Sequence, residues 1–176
     1  MGTAGLKLRY YGDPILRRRA EEITVFDPPL RGVADAMVET MREAEGVGLA
    51  APQVGIERRL LVALDMRTPD DDGAAPIAMV NPEITERSRE TWVFEEGCLS
   101  IPGIRGDVTR PSQVKVRYRD VDGREHTIDA EGMFARILQH EIDHLDGKLF
   151  IDYLSLAEKT LIKTRLKKLA HSHDDQ

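Results

Sequence analysis

Apolar and polar positions divide the chain into a few periodic segments. Leu30, Val33, Ala34, Met37, Val38 and Met41 recur at helical spacing behind Asp27-Pro28-Pro29. A helix is expected there, capped by Asp27, tolerant of proline in its first turn and ending near Gly46. The apolar run from Arg59 to Asp65 reads as a buried strand, and residues 68–76 read as an exposed, mobile acidic loop. Residues 10–20 read as an extended arm or turn with a few apolar anchors. From Ile77 to Ala130 the pattern is sheet-like, with a break at Asn81-Pro82. Val114, Val116 and Tyr118 alternate with Lys115, Arg117 and Arg119, the period of a strand with one buried face, and Asp122-Gly123 supplies the next turn. Phe134, Ile137, Leu138, Ile142 and Leu145 form the stripe of a buried helix. Ser155 and Glu158 have capping-box spacing and open a last helix. Leu161, Ile162, Leu166 and Leu169 are assigned to its apolar side, and Lys159, Lys163, Lys167 and Lys168 to its exposed side. The tail from His171 to Gln176 is expected to be disordered. These segments predict an α+β fold: antiparallel sheets around a buried central helix, an N-terminal helix, a C-terminal amphipathic helix, and one domain over residues 1–176.

Composition narrows the function classes. The 176 residues carry a net charge of −6, which leaves no electrostatic footprint for general nucleic-acid binding. The lone cysteine, Cys98, cannot form an internal disulfide, which suits a reducing compartment. No run approaches the length of a membrane span and no apolar leader core follows Met1, so a cytoplasmic location is expected.

The chemistry concentrates in His140-Glu141-Ile142-Asp143-His144. Histidines four apart on a helix leave one face about a turn apart and can converge on one ion, while Glu141 can serve a water there without being a ligand. Catalytic sites of this kind take three protein ligands and keep one position open. Two familiar completions fail, because position 150 is Phe and no glutamate lies at position 164, which is Thr. Cys98, in Glu96-Gly97-Cys98-Leu99-Ser100, stands out as the third donor, since a thiolate with two imidazoles suits a borderline-soft divalent metal. Two rival readings remain open. Cys98 could be the nucleophile of a thiol amidohydrolase, or the three residues could hold a structural metal closed by His126, His171 or His173.

Three segments in order, Gly46-Val47-Gly48-Leu49-Ala50-Ala51-Pro52-Gln53, Glu96-Gly97-Cys98-Leu99-Ser100 and His140-Glu141-Ile142-Asp143-His144, together resemble the peptide deformylases. The resemblance implies a metal-dependent hydrolase that removes the formyl group from the N-terminal formyl-methionine of newly made polypeptides, releasing formate. It implies Cys98, His140 and His144 as ligands of one divalent ion, Fe²⁺ natively, with Zn²⁺, Ni²⁺ or Co²⁺ as substitutes. It assigns Glu141 as general base and acid, with the Gln53 side-chain amide and the Leu99 backbone N–H as oxyanion donors. Substrate is expected as an extended strand beside Val47, Gly48 and Gly97, its methionine side chain near Val47, Met133, Ile137 and the His140 ring. Glu96 and Arg105 are expected nearby, either contacting substrate or paired with each other. The Arg136 stem is expected to border the pocket with its head solvated. The C-terminal helix is a candidate ribosome contact.

Overall fold

The computed structural model describes residues 5–70 and 73–173, without the side chains of residues 68–70 and 173. Helix α1 (Pro28–Glu43) begins as expected, the Asp27 carboxylate accepting from the Leu30 N–H. Strand β1 (Gly48–Ala50) and a short 3-10 turn (Ala51–Val54) take up the small-residue run. Strands β2 (Leu60–Asp70), β3 (Gly73–Arg87), β6 (Gln113–Arg119) and β7 (Glu125–Glu131) complete a five-stranded antiparallel sheet in the order β1-β2-β3-β6-β7. Strands β4 (Thr91–Cys98) and β5 (Ile101–Pro111) form a separate two-stranded ribbon. Helix α2 (Gly132–Leu145) follows β7, and α3 (Leu156–His173) ends the described chain.

Strand β2 explains the layering. Its alternate residues point to opposite faces, so Leu61 and Ala63 join the core beneath α2 while Leu60 and Val62 join the core beneath α1. A strand covered on both sides has no polar face to display, which is why the run reads as continuously apolar. On β6 the inward residues Val114, Val116 and Tyr118 are buried and share the α2 core. The ribbon packs through Ile101, Ile104 and Val108 against Phe150, Leu154 and the Ile162 face of α3.

Four sequence expectations are corrected here. The stretch 68–76 is not a loop throughout: β2 runs to Asp70, β3 starts at Gly73, and Ala75 and Pro76 pair with Asp65 and Leu64, while Asp71 and Asp72 lie outside the described residues. The turn expected within 10–20 is present as a 3-10 turn, Pro14–Arg17, capped by Asp13, and needs no correction. Asn81-Pro82 does not end a strand; β3 passes through it with a shift of register, Asn81 adopting φ 50°. Its side chain donates to the Ile23 carbonyl and accepts from the Ile23 N–H, holding the N-terminal arm to the sheet. On α3, Leu161 is 79% exposed while Ile162 is buried, so the packed stripe is narrower than the apolar residues suggest. Helix α3 also continues through His171 to His173, with residues 174–176 outside the described part.

Candidate metal centre

Cys98 ends β4 and the two histidines stand on α2, so the ribbon and the buried helix each bring a share of the donors. Cys98 Sγ lies 3.3 Å from His144 Nε2, which lies 3.3 Å from His140 Nε2. All three donor atoms fall within 4.8 Å of one another, the one such cluster capable of holding a metal among the described residues. His126, a conceivable fourth ligand, sits instead 2.7 Å from Asp120 and stacks on Tyr118. His171 is absent from the cluster, and the His173 side chain lies outside the described residues.

Around the donors lies a cleft of about 430 Å³ lined by Val47, Gly48, Gln53, Gly97, Leu99 and Arg105 on one side, and by Met133, Ile137, His140 and Glu141 of α2 on the other. Glu141 is buried and its Oε2 has no hydrogen-bond partner among the described residues. Burial raises its carboxyl to about 7, with the charge of His140 opposing the rise; a cation among the donors pulls the same way as His140. Gly48 makes room for it, since a Cβ there would stand 2.7 Å from Glu141 Oε1. Gln53, 1% exposed, is fixed at both ends of its amide. Oε1 accepts from the Ala50 N–H at 2.9 Å, while Nε2 faces Ser100 Oγ at 3.1 Å and Cys98 Sγ at 3.5 Å.

Glu96 is where the sequence reading is corrected most. It forms no pair with Arg105, which bonds the exposed Glu95 instead. The Glu96 carboxylate is buried and both oxygens are engaged: Arg110 donates to both, Arg136 donates to Oε2, and His140 Nδ1 lies 2.9 Å from Oε1. Burial would raise its pKa, but the hydrogen bonds from His140 and Arg110 outweigh it and hold the group at about 2. An ionised carboxylate only accepts, so His140 Nδ1 carries a proton, and Nε2 is the atom that would ligate an ion beside Cys98 and His144. Burial opposes charge on both histidines; at His140 hydrogen bonds with Cys98 and Glu96 prevail and raise the pKa, whereas His144, lowered further by the charge on His140, stays neutral. The Arg136 head is not solvated: the residue is 2% exposed and its guanidinium lies over the Trp92 ring at 4.6 Å. Arg110 and Asp143, which bonds Arg110 and Tyr153, are site residues that sequence reasoning did not assign, while Arg136 was expected only at the edge of the pocket. A signal was present on α2, because positions 136, 140 and 143 fall on one stripe and an arginine within Met133-Phe134-Ala135-Arg136-Ile137-Leu138 asks for a buried partner.

One cysteine sulfur, two imidazoles with converging Nε2 atoms and a buried carboxylate whose Oε2 has no partner among the described residues suit a divalent ion with an open coordination position, the layout of a mononuclear metallohydrolase. Comparison with known proteins narrows that class. The profile described as polypeptide deformylase matches residues 6–160. The peptide deformylase of Thermotoga neapolitana is 46% identical over 94% of this chain and 97% of its own, and that of Picosynechococcus is 47% identical over 85% and 79%. Among solved structures, a Plasmodium falciparum peptide deformylase superposes with a TM-score of 0.88 at 40% identity, covering 97% of this chain and 98% of the other. An Arabidopsis thaliana peptide deformylase 1B bound to an inhibitor gives 0.89 at 38%, covering 96% and 92%. The chain belongs to the polypeptide deformylase family, metal-dependent enzymes that remove the N-formyl group from nascent peptides. No described helix is long and apolar enough to cross a membrane.

Proposed function

We propose that this chain deformylates the N-terminal formyl-methionine of new polypeptides with Cys98, His140 and His144 as ligands of one divalent ion and Glu141 as the proton carrier. The observation that carries the reading is the meeting of those three donor atoms beside a buried carboxylate that has no other partner among the described residues. When bound, the ion supplies Lewis acidity, lowering the pKa of water from about 15.7 towards about 7. Fe²⁺ is the proposed native ion, with Zn²⁺, Ni²⁺ or Co²⁺ as substitutes that the same donors suit. Glu141 takes the proton of the attacking water and returns it to the departing amine.

Negative charge developing on the formyl oxygen needs fixed donors. Gln53 Nε2, held facing the thiolate, is one; the Leu99 backbone N–H, next in the chain to Cys98, is the other. The peptide lies extended between β1, an edge strand of the sheet, and the end of β4, where Val47, Gly48 and Gly97 leave the backbone approachable. Its methionine side chain sits against Met133 and Ile137. Arg105, tethered to Glu95 on the rim, meets the following residues, and Glu96 acts from behind the pocket. Residues 1–176 act as one catalytic domain in the cytoplasm, and the exposed Lys159, Lys163 and Lys167 of α3 form the surface proposed to touch the ribosome.

The test is formate release from a formyl-methionyl peptide, by protein loaded anaerobically with Fe²⁺ and separately with Zn²⁺. Turnover is expected with both, and Glu141→Ala is expected to retain the metal while losing about 10²–10⁴-fold in kcat. Metal-loaded, folded protein that releases no formate would remove the assignment.

A further inference from the structure

Arg136 lies among apolar residues of α2, yet both terminal nitrogens of its guanidinium have fixed partners on the ribbon, while Nε has none among the described residues. Nη1 donates to Glu96 Oε2 at 2.6 Å and to the Val108 carbonyl at 2.9 Å, and Nη2 donates to the Trp92 carbonyl at 2.8 Å. Its carbon stands 4.6 Å from the Trp92 ring centroid and 5.7 Å from that of Phe94. Trp92, Phe94 and Glu96 are alternate residues of β4 on one face of the strand, and Cys98 ends it just past a shift of register at Gly97. One side chain of α2 thus engages all three members of that row, two residues before the sulfur donor.

Two arginines converge on one carboxylate. Arg110 reaches Glu96 from β5 but also pairs with Asp143, so the two arginines together balance the two carboxylates. What Arg136 adds beyond charge is geometry. It joins α2, β4 and β5 at one point, one helical turn before His140, and the distance between the ribbon's sulfur and the helix's imidazoles depends on how those three elements meet. It also holds Oε2 of the carboxylate whose Oε1 accepts from His140 Nδ1.

We infer that Arg136 is a positioning residue for the donor set: it clamps the ribbon to α2 and orients Glu96, so that His140 Nε2 points to the place it shares with Cys98 and His144. The inference rests on the metal reading above. Lysine cannot substitute, because a single ammonium lacks the planar fork that reaches Glu96, Val108 and Trp92 together and does not stack on an aromatic face in the same way.

The experiment measures Co²⁺ affinity and the thiolate-to-Co²⁺ absorption band for the wild type, Arg136→Lys, Glu96→Gln and the double variant, with folding followed by the emission of Trp92, the chain's single tryptophan. Each single substitution is expected to weaken Co²⁺ binding about 10–100-fold and to shift or diminish the band. The double variant should be hardly weaker than either single one, since both changes break the same path. If Arg136→Lys does not fold, Arg136→Met, which keeps the buried stem, takes its place in the same cycle. A wild type without the sulfur band overturns the metal reading and this inference with it. A wild type with the band, beside a folded Arg136 variant of unchanged band and affinity, overturns the inference alone, as would fully additive losses.

Discussion

At the scale of single residues, the site depends as much on an absent atom as on present ones. Gly48 is in contact with Glu141 because it has no Cβ; the carbon would stand 2.7 Å from Oε1 and closer than 3 Å to Cγ, and a buried carboxylate has little room to retreat. Gly48→Ala is therefore expected to displace Glu141 and to lower kcat by about 10²-fold, a loss typical of a misplaced group, with a fall in melting temperature of a few degrees from the crowding. A variant of normal kcat would show that the carboxylate position is not critical. Gln53 gives a second case. Its amide is held by the Ala50 N–H and Ser100, so its Nε2 costs no reorganisation when charge develops nearby. Gln53→Leu should depress kcat about 10²–10³-fold while leaving KM close to its original value. An effect confined to KM would make Gln53 a substrate-binding residue instead.

Among the elements, α3 illustrates how local chemistry fixes a boundary. The Glu158 N–H donates to Ser155 Oγ and the Ser155 N–H to Glu158 Oε2, which satisfies donors at the helix start that have no partner within the helix. Ser155→Ala should destabilise by about 1 kcal/mol, a fall in Tm of about 2–4 °C for a chain of this size, with deformylation intact because Ser155 is neither a donor nor part of the cleft lining. An unshifted melt would mean the cap contributes nothing. That box was legible in the sequence, as were the Asp27 cap, the α1 face and the alternation of β6, since each depends on neighbours within a turn or two. What escaped depends on distant partners. Asn81 reads as a strand breaker until Ile23, 58 positions away, is found bonded to its side chain. Leu161 belongs to the apolar set by type but faces outward, because only the stripe through Ile162, Leu166 and Leu169 has anything to pack against. The proposed donors were legible because two are neighbours on one helix and the third is the only cysteine; Arg136 was legible as an arginine inside an apolar stripe, but its partners on the ribbon and the burial of Arg110 were not, because they depend on strands distant in the chain.

For the molecule as a whole, the donor set is a junction between parts that otherwise meet through side-chain contacts. Cys98 belongs to the ribbon, and His140 and His144 belong to the helix that fills the main core. An ion held by all three would cross-link them, and an unfolded chain, with 41 residues between Cys98 and His140, binds it far less well. Anything that binds the folded form alone stabilises it, by about 2.7 kcal/mol when free ligand is 100-fold above Kd. Removing the ion with a chelator is therefore expected to abolish formate release and to lower Tm by several degrees, at about 2–4 °C per kcal/mol, with both restored by Zn²⁺. Cys98→Ala separates the cross-link from general metal affinity: it should melt at the same temperature with or without Zn²⁺ and carry little metal by elemental analysis, even though both histidines remain. If chelation leaves activity and Tm where they were, or if Cys98→Ala keeps full metal occupancy, then the sulfur does not join the ribbon to the helix through an ion and the chemistry of the cleft must be assigned anew.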